Sequence, residues 1–260
     1  MDKATKRQSY PTDLTDGQWE EIAPLFKGMR NCKWSKRELT NAVLYLVDSG
    51  CKWRQLPHDF PPYSTVHSFY RRARLSGLWD RIMKRLVLVT RKNAGRNEDP
   101  TYAIIDSQSV KTVGSGEERG YDGGKTKGRK RHIVTDTMGN ILGVIIHAAN
   151  VHDTVAGIYA AIEAFQSWPT ILKFGADNGY RGTFVREVNG RLLISVEIPE
   201  KSAPRKWEIL PRRWIVERTL SWFHHSRRLS KDYETTTSSA LAMGQISHFH
   251  TLLNAYAYSF

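Results

Sequence analysis

Cysteine is scarce in this sequence and long apolar runs are missing. The first shortage argues against a disulfide-rich protein, and the second argues against a membrane-spanning one. Two cysteines, Cys32 and Cys51, in 260 residues are too few for a disulfide framework and favour a reducing compartment. The longest mostly apolar run, Ile141 to Val151, is too short to cross a bilayer. The N-terminal stretch MDKATKRQSY offers no apolar segment that could serve as a signal peptide. We therefore expect a soluble, cytoplasmic protein with no membrane association.

Acidic residues are also few compared with basic ones, and this imbalance predicts a polyanionic partner. The chain has 39 Lys and Arg against 26 Asp and Glu, a formal net charge of +13. Nine of the basic residues fall between Lys201 and Lys231, where only Glu208 and Glu217 oppose them. A protein with this charge balance is expected to bind nucleic acid.

A second basic cluster lies in and just after residues 112–128, a Gly-rich stretch that reads as a loop. Its members are Arg119, Lys125, Lys127, Arg129, Lys130 and Arg131. The segment from Lys125 to Arg131 is either a solvated loop or a clamp on the DNA backbone. We favour the clamp, because cationic loops on a basic protein contact phosphate groups without reading the base sequence.

Residues 12–95 read as helical throughout. Apolar residues there recur at the i, i+3, i+4, i+7 spacing of amphipathic helices. Ser35 with Glu38 three positions later predicts a capping box, and Gly50 is expected to end that helix. After a proline-rich connection, Ser64 is expected to cap the next helix.

This next helix is rich in arginine, which raises the possibility of a DNA-reading element. Arg71, Arg72 and Arg74 lie close together near its end, and a last helix is predicted from Leu78 to Lys92. Two helices joined by a short turn, the second of them basic, suggest a helix-turn-helix that contacts DNA. A plain helical bundle with a basic outer face is the open alternative.

The polar run RKNAGRNEDP at residues 91–100 is the best candidate for a domain boundary, and it predicts domains at 1–95 and 96–260. Beyond it the pattern changes to strands at 101–110, 131–136, 141–147, 171–176 and 192–198, with helices between and after them. A hairpin-first sheet that gains a parallel strand through a helical crossover is a mixed α/β arrangement. This topology would bring Asp106, near the end of the first strand, close to Asp177 after a later strand.

A third carboxylate stands out in the stretch LPRRWIVERTLSWFHHSRRLSKDYE, residues 210–234, which is expected to form a helix. At helical spacing one face carries Arg213, Glu217, Ser221, His224 and Arg228. A lone Glu on such a face usually marks a solvated surface with a weak ion pair. The alternative is that Glu217 binds a metal ion while the cations hold phosphates.

If Asp106, Asp177 and Glu217 converge, their negative charges require a compensating cation. Carboxylate oxygens suit Mg²⁺ or Mn²⁺, which bind substrate phosphates as well. Two such ions roughly 3.5–4 Å apart support displacement at a phosphodiester. The residues therefore predict a two-metal site on a basic, DNA-binding protein.

Five segments together resemble transposases of the bacterial insertion-sequence-five family, within the DDE class, over nearly the whole chain. These segments are CKWRQLPHDFPPYSTVHSFYRRARLSGLW, IIDSQSVK, GYDGGKTKGRKRHIVTDTMGNIL, GADNGYRG and LPRRWIVERTLSWFHHSRRLSKDYE. The resemblance implies an RNase H-like catalytic domain in which Asp106, Asp177 and Glu217 bind the metal ions. It further implies cleavage at terminal inverted repeats, strand transfer into target DNA, and N-terminal helices that bind transposon ends or mediate assembly as a dimer or larger oligomer in the bacterial nucleoid.

The chain departs from a pattern of the wider class, Tyr-x2-Arg-x3-Glu-x6-Lys around the third acid. Arg213 and Glu217 match it, but Leu210 stands in place of Tyr and His224 in place of Lys. Arg228, one turn further on, could replace the Lys as a phosphate contact.

Several other interpretations remain open. Asp136 either approaches the metal ions or begins the TMGN turn, and we favour the turn. His147, His152 and Asp153 do not have the spacing of a helical metal-ligand pair, and Asp153 is better interpreted as a helix N-cap. At the level of function, the alternatives are a non-enzymatic DNA-binding regulator and a nuclease acting on RNA–DNA hybrids.

Overall fold

The N-terminal helices come first in the computed structural model, which describes residues 7–30, 32–123, 126–199 and 213–257. They are α1 (Asp16–Ile22), α2 (Lys36–Ser49), α3 (Tyr63–Leu75) and α4 (Leu78–Asn93). Ser35 caps α2 as predicted, with its hydroxyl accepting from the Glu38 N–H at 3.1 Å. The carboxylate of Glu38, however, pairs with Arg7 at 2.5 Å. Gly50 ends α2 in the left-handed conformation, with a φ of 70°, as predicted.

Two details of this region differ from the predictions. Ser64 does not cap α3, because the Pro62 carbonyl already accepts the N–H groups of Thr65 and Val66 and starts the helix. The connection between α2 and α3 is not a short turn, since it spans residues 50–62 and includes a 3₁₀ turn at Trp53–Gln55. DNA contact through α3 stays a prediction.

Within the described residues the sheet is mixed, as predicted, and has six strands, one more than the five predicted. They are β1 (Tyr102–Lys111), β2 (Gly120–Asp122), β3 (Thr126–Thr135), β4 (Ile141–Ala148), β5 (Lys173–Gly175) and β6 (Ser195–Glu197). Their order is β2-β3-β1-β5-β6, and β4 pairs with β3. The β1, β2 and β4 pairings with β3 are antiparallel, whereas β1–β5 and β5–β6 are parallel. The stretch 112–128, predicted to be a loop, therefore contains β2 and the start of β3.

Four more helices cover the sheet: α5 (Asp153–Ser167), α6 (Thr183–Leu192), α7 (Arg213–Trp222) and α8 (Thr237–Ala257). Ser107 on β1 bonds to Asp153 of α5, whereas its neighbour Gln108 contacts His224 just after α7. Because successive residues of a strand point to opposite faces, α5 and α7 lie on opposite sides of the sheet. The α5 N-cap is His152, which accepts from the Thr154 N–H, so the prediction of Asp153 as the cap is wrong by one residue.

The buried apolar residues form a continuous core that runs from Leu14 to Leu253. The C-terminal helix α8 contacts α1, α2 and α4 as well as β4. Trp79 of α4 stacks on Phe249 of α8 with ring centroids 5.8 Å apart, as expected of a core tryptophan. Among the described helices, none has the length and apolar character needed to cross a membrane. The division into domains at residue 95 stays a prediction.

Candidate active site

Two of the predicted carboxylates come from strands β1 and β5, which are direct parallel neighbours. The register pairs Ile104 with Gly175, and each chain continues for two more residues to Asp106 and Asp177 respectively. Asp106 is in the middle of β1, while Asp177 follows β5 and begins a 3₁₀ turn by accepting the Gly179 N–H at 2.8 Å. Both residues are half-buried.

The phenol of Tyr180 is within the electrostatic reach of both aspartates. Burial, followed by the negative charges of Asp106, Asp153 and Asp177, raises the pKa of Tyr180 far above its ordinary value. A single buried hydroxyl thus experiences the charge of Asp106 on β1 and of Asp177 beyond β5.

Glu217 lies on α7, which packs across β1 and β3. His224 fixes the level of this helix, because its Nε2 lies 3.1 Å from the Gln108 amide nitrogen on β1. Glu217 is seven residues before His224, about 10 Å along a helix. Asp106 is two residues before Gln108, about 7 Å along a strand and on the same sheet face. Asp106 and α7 are therefore on the same side of the sheet, and Glu217 is exposed on that helix.

The chemistry of these donors suits a hard divalent cation, since all three are carboxylates and two are neighbours. Within the described ranges, however, no three His, Cys, Asp or Glu side chains lie close enough together to hold a metal ion. The fold thus brings the three carboxylate-bearing elements together without gathering the carboxylates into a ligand cluster.

Comparison with known proteins identifies the family. The family model described as "Transposase DDE domain" matches residues 97–252, and the model described as "Putative transposase of IS4/5 family" matches residues 14–83. The first match alone covers more than half of the chain. The chain belongs to the DDE transposase family. This domain implies an RNase H-like fold, divalent metal ions as cofactors, and DNA as substrate.

Two relatives come from insertion elements of Burkholderia cepacia. The "Putative transposase for insertion sequence element IS402" is 35% identical over 121 residues, which cover 41% of this chain and 54% of the relative. The "Insertion element IS402 uncharacterized 16.2 kDa protein" is 29% identical over 118 residues, which cover 41% of this chain and 78% of the relative.

Three of the basic residues predicted to contact DNA lie inside the transposase. Arg129 is fully buried and donates to Asp232 at 3.0 Å and to the carbonyls of Glu117, Glu234 and Thr235. Lys130 bonds to Asp153 at 3.0 Å. Arg131 donates to the Leu229 carbonyl, and its burial lowers its pKa to about 10. These side chains hold the fold, so their predicted role in a DNA clamp is corrected.

Arg228 is also buried, because the helix predicted over residues 210–234 ends earlier. The start of that stretch lies outside the described residues, and α7 stops at Trp222, followed by 3₁₀ turns at Phe223–His225 and Arg227–Leu229. Arg228 thereby turns inward, pairs with Glu234 at 2.7 Å and donates to the Cys51 carbonyl. It does not share a face with Glu217, and its predicted phosphate contact is corrected.

The other predicted DNA contacts differ in exposure. Arg71, Arg72, Lys127 and His224 are exposed, and Lys127 lies over the Tyr121 ring at 5.4 Å. Arg74 is half-buried and donates to Thr236 and Ser238, which precede or begin α8. Lys125 and the side chain of Arg213 lie outside the described residues.

Asp136 organises the TMGN turn, as predicted. Its Oδ1 accepts the N–H groups of Met138 and Asn140, and its Oδ2 pairs with Arg91 at 2.6 Å. It is fully buried.

The sequence interpretation weighed His147 and Asp153 only as metal ligands or a helix cap, and it missed the hydrogen-bonded group that they form with other polar residues behind Asp106. His132 of β3 bonds to both His147 of β4 and Tyr180, while Asp153 receives hydrogen bonds from Ser107 and Lys130. Tyr180 lies in the segment GADNGYRG that carried part of the family resemblance, and its position three residues after Asp177 was the available signal. The histidines gave none, because their partners lie on separate strands.

Proposed function

We propose that this transposase binds the terminal inverted repeats of an insertion sequence and carries out metal-dependent cleavage and strand transfer with Asp106, Asp177 and Glu217. The parallel pairing of β1 with β5 carries this proposal, because Asp106 is on one of these strands, Asp177 follows the other, and the helix that bears Glu217 packs against β1. The reaction proceeds in two displacements. Water attacks a phosphodiester at the element's end and frees a 3′-OH, and that hydroxyl then attacks target DNA.

The three carboxylates would hold Mg²⁺ or Mn²⁺, with two ions as the expected number. When bound, such ions act as Lewis acids on the scissile phosphate. The chain's own contribution is to fix the carboxylates on three separate elements of a packed fold. Asp106 belongs to a central strand that is bonded on both sides, which gives it the most rigid base of the three.

Exposed cations would bind the DNA backbone. Arg71 and Arg72 on α3, Lys127 at the start of β3 and His224 after α7 are available to phosphate groups. We extend the same proposal to Lys125 and Arg213 from the sequence. Backbone contacts of this type position the duplex and carry no sequence information.

The proposal also covers the domain organisation and the oligomeric state. We assign residues 96–260 to an RNase H-like catalytic domain and residues 1–95 to a helical domain that binds ends or mediates assembly. Two ends must be processed together, so a homodimer or larger homo-oligomer is the expected active form.

A cleavage assay tests the proposal directly. Supercoiled DNA that carries the inverted repeats flanking this reading frame is incubated with the protein in Mg²⁺, in Mn²⁺ and in a chelator. We expect end-specific nicking only with a divalent ion. End binding without cleavage would favour a non-enzymatic regulator, and cleavage of an RNA–DNA hybrid in place of the ends would favour a hybrid nuclease.

A further inference from the structure

Three buried side chains form an unbroken hydrogen-bonded chain on the α5 side of the sheet. The Tyr180 hydroxyl lies 2.9 Å from His132 Nε2, and His132 Nδ1 lies 2.7 Å from His147 Nε2. His147 Nδ1 lies 2.9 Å from the Ala148 carbonyl oxygen, where the chain ends. Tyr180 is 2% exposed, His132 is fully buried and His147 is 8% exposed.

The direction of every proton in this chain follows from its last acceptor. A carbonyl can only accept, so His147 carries its proton on Nδ1 and presents an unprotonated Nε2. His132 must then donate from Nδ1 and accept at Nε2, which leaves the Tyr180 hydroxyl as a donor to His132. Neutral rings are required throughout, and burial lowers the pKa of His132 to about 3 and also lowers the pKa of His147. The Tyr180 hydroxyl is thereby held in one orientation.

Packing fixes the ring of Tyr180 as firmly as the hydroxyl. The ring stacks edge-on against Phe184 at 5.1 Å, and it lies against α5 at Gly157. A Cβ added at Gly157 would come within 2.7 Å of Tyr180 Cε1, so only glycine leaves room for the ring. Tyr180 belongs to the same 3₁₀ turn that Asp177 caps. A fixed Tyr180 therefore restrains the backbone that carries Asp177.

We infer that Tyr180, His132 and His147 are positioning residues that hold the Asp177 turn against β1 in the arrangement that binds the divalent ion. This inference rests on the proposed function, since it concerns the proposed metal ligand Asp177. None of the three side chains touches the reacting atoms. They act through the turn, which they tie to the neighbouring strands β3 and β4. A hydrogen bond to a metal ligand itself is worth about ten- to a hundred-fold in metal affinity, and we expect a restraint that acts through the turn of the ligand to reach the lower end of that range.

Titration with Mn²⁺, followed by the electron paramagnetic resonance signal of the free ion, tests the inference without relying on activity. Tyr180→Phe removes one hydroxyl and keeps the ring that packs against Phe184. We expect its Mn²⁺ dissociation constant to rise by about ten-fold or more relative to the wild type. Tyr159→Phe, an equivalent change at an exposed position on α5, is the matched control and is expected to bind Mn²⁺ as the wild type does.

Two variants of His147 separate positioning from general stability. His147→Gln retains an amide acceptor for His132 and an amide donor for the Ala148 carbonyl, so Mn²⁺ affinity should stay within a few-fold of the wild type. His147→Leu removes both and should behave like Tyr180→Phe. Thermal unfolding of each variant identifies any that fail to fold, and His147→Leu, compared with His147→Gln, keeps the test valid if Tyr180→Phe is one of them.

The outcomes distinguish this inference from the proposed function. Mn²⁺ binding that is lost in Asp106→Asn but unchanged in folded Tyr180→Phe and His147→Leu would overturn the positioning role alone. Wild-type protein that binds no Mn²⁺, with or without DNA ends, would overturn both. Weaker binding in Tyr180→Phe and His147→Leu, with His147→Gln close to the wild type, is the result that supports the inference.

Discussion

Arg129 and Lys127 are two residues apart on β3 and have opposite surroundings. The Arg129 guanidinium is fully buried and pairs with Asp232, which is itself 3% exposed. Lys127 is exposed at the start of the strand. The positive charge of Arg129 therefore stabilises the fold, whereas that of Lys127 is exposed and available to DNA.

Arg129→Met is expected to lower the free energy of unfolding by about 3–5 kcal/mol, because it leaves the Asp232 carboxylate buried without its partner. Urea unfolding measures this loss. Lys127→Met is the matched control, with a change of stability within about 0.5 kcal/mol. Equal stability of the two variants would contradict the structural role of Arg129.

Composition predicted a polyanionic partner but not which cations face it. The partner of Arg129 lies 103 residues away along the chain, and Lys130 pairs with Asp153 on another element. Such long-range pairs leave no local pattern, so a run of basic residues in a central strand looks like an exposed cationic loop. Only the packing of both sheet faces reveals the difference.

At the scale of single elements, α5 carries Glu163 in surroundings that disfavour the charged form of its carboxyl group. Glu163 faces a small cavity of about 150 Å³ that is also lined by Asp80 and Gln245. Burial and then the charge of Asp80 raise the pKa of Glu163 to about 7, although the Val144 N–H partly stabilises its charged form.

Glu163→Gln is expected to stabilise the protein at pH 8 by about 3 kcal/mol relative to the wild type. A carboxyl whose folded-state pKa is raised from 4.5 to about 7 contributes fully below pH 4.5, and this contribution is lost as the pH rises through 7. The two proteins should therefore have similar stabilities at pH 4.5 and diverge up to pH 8. Unfolding free energies measured at several pH values check this.

The control for this experiment is Glu20→Gln, which alters an exposed carboxyl on α1 and should follow the wild type at every pH. A constant difference between Glu163→Gln and the wild type from pH 4.5 to 8 would show that the buried charge has no part in the effect.

Elements with a strong local pattern were predictable, and those shaped by tertiary contacts were not. The β3–β4 hairpin and α4 follow from apolar periodicity and turn residues. The strand predicted at 192–198 is shorter, because Leu192 ends α6 and Leu193 adopts the left-handed conformation with a φ of 58°. The early end of α7 could not be predicted from the sequence. Arg228 turns inward and bonds to Glu234 and to the Cys51 carbonyl, and helical spacing does not indicate these partners.

At the scale of the whole molecule, net charge predicts a strong salt dependence of DNA binding. Arg71→Ala combined with Arg72→Ala removes two exposed cations from α3. If both contact phosphate groups, the slope of log K against log salt should fall in magnitude by about two. Fluorescence anisotropy with duplex DNA at several salt concentrations measures the slope.

The matched control removes two cations from α6, with Arg186→Ala and Arg191→Ala. Both are more than half exposed. The α6 variant should keep a slope closer to that of the wild type. Identical slopes for the two double variants would argue against α3 as a DNA contact.

The parallel pairing of β1, which carries Asp106, with β5, which Asp177 follows, was predictable because helical crossovers between parallel strands obey a topological rule. The level of Glu217 relative to them was not, since it depends on how α7 packs across β1 and β3. The chain from Tyr180 through His132 to His147 was also beyond sequence reasoning, because its members come from three elements that only the folded sheet brings together.

Cleavage of DNA bearing the inverted repeats, compared with binding to the same DNA, tests the central claim most directly. Asp106→Asn, Asp177→Asn and Glu217→Gln each remove one negative charge from the proposed metal site, while Glu20→Gln serves as an exposed control on α1. We expect each site variant to lose detectable cleavage in Mg²⁺ while binding the ends within a few-fold of the wild type. Full cleavage by any one of the three would contradict its place among the metal-binding carboxylates.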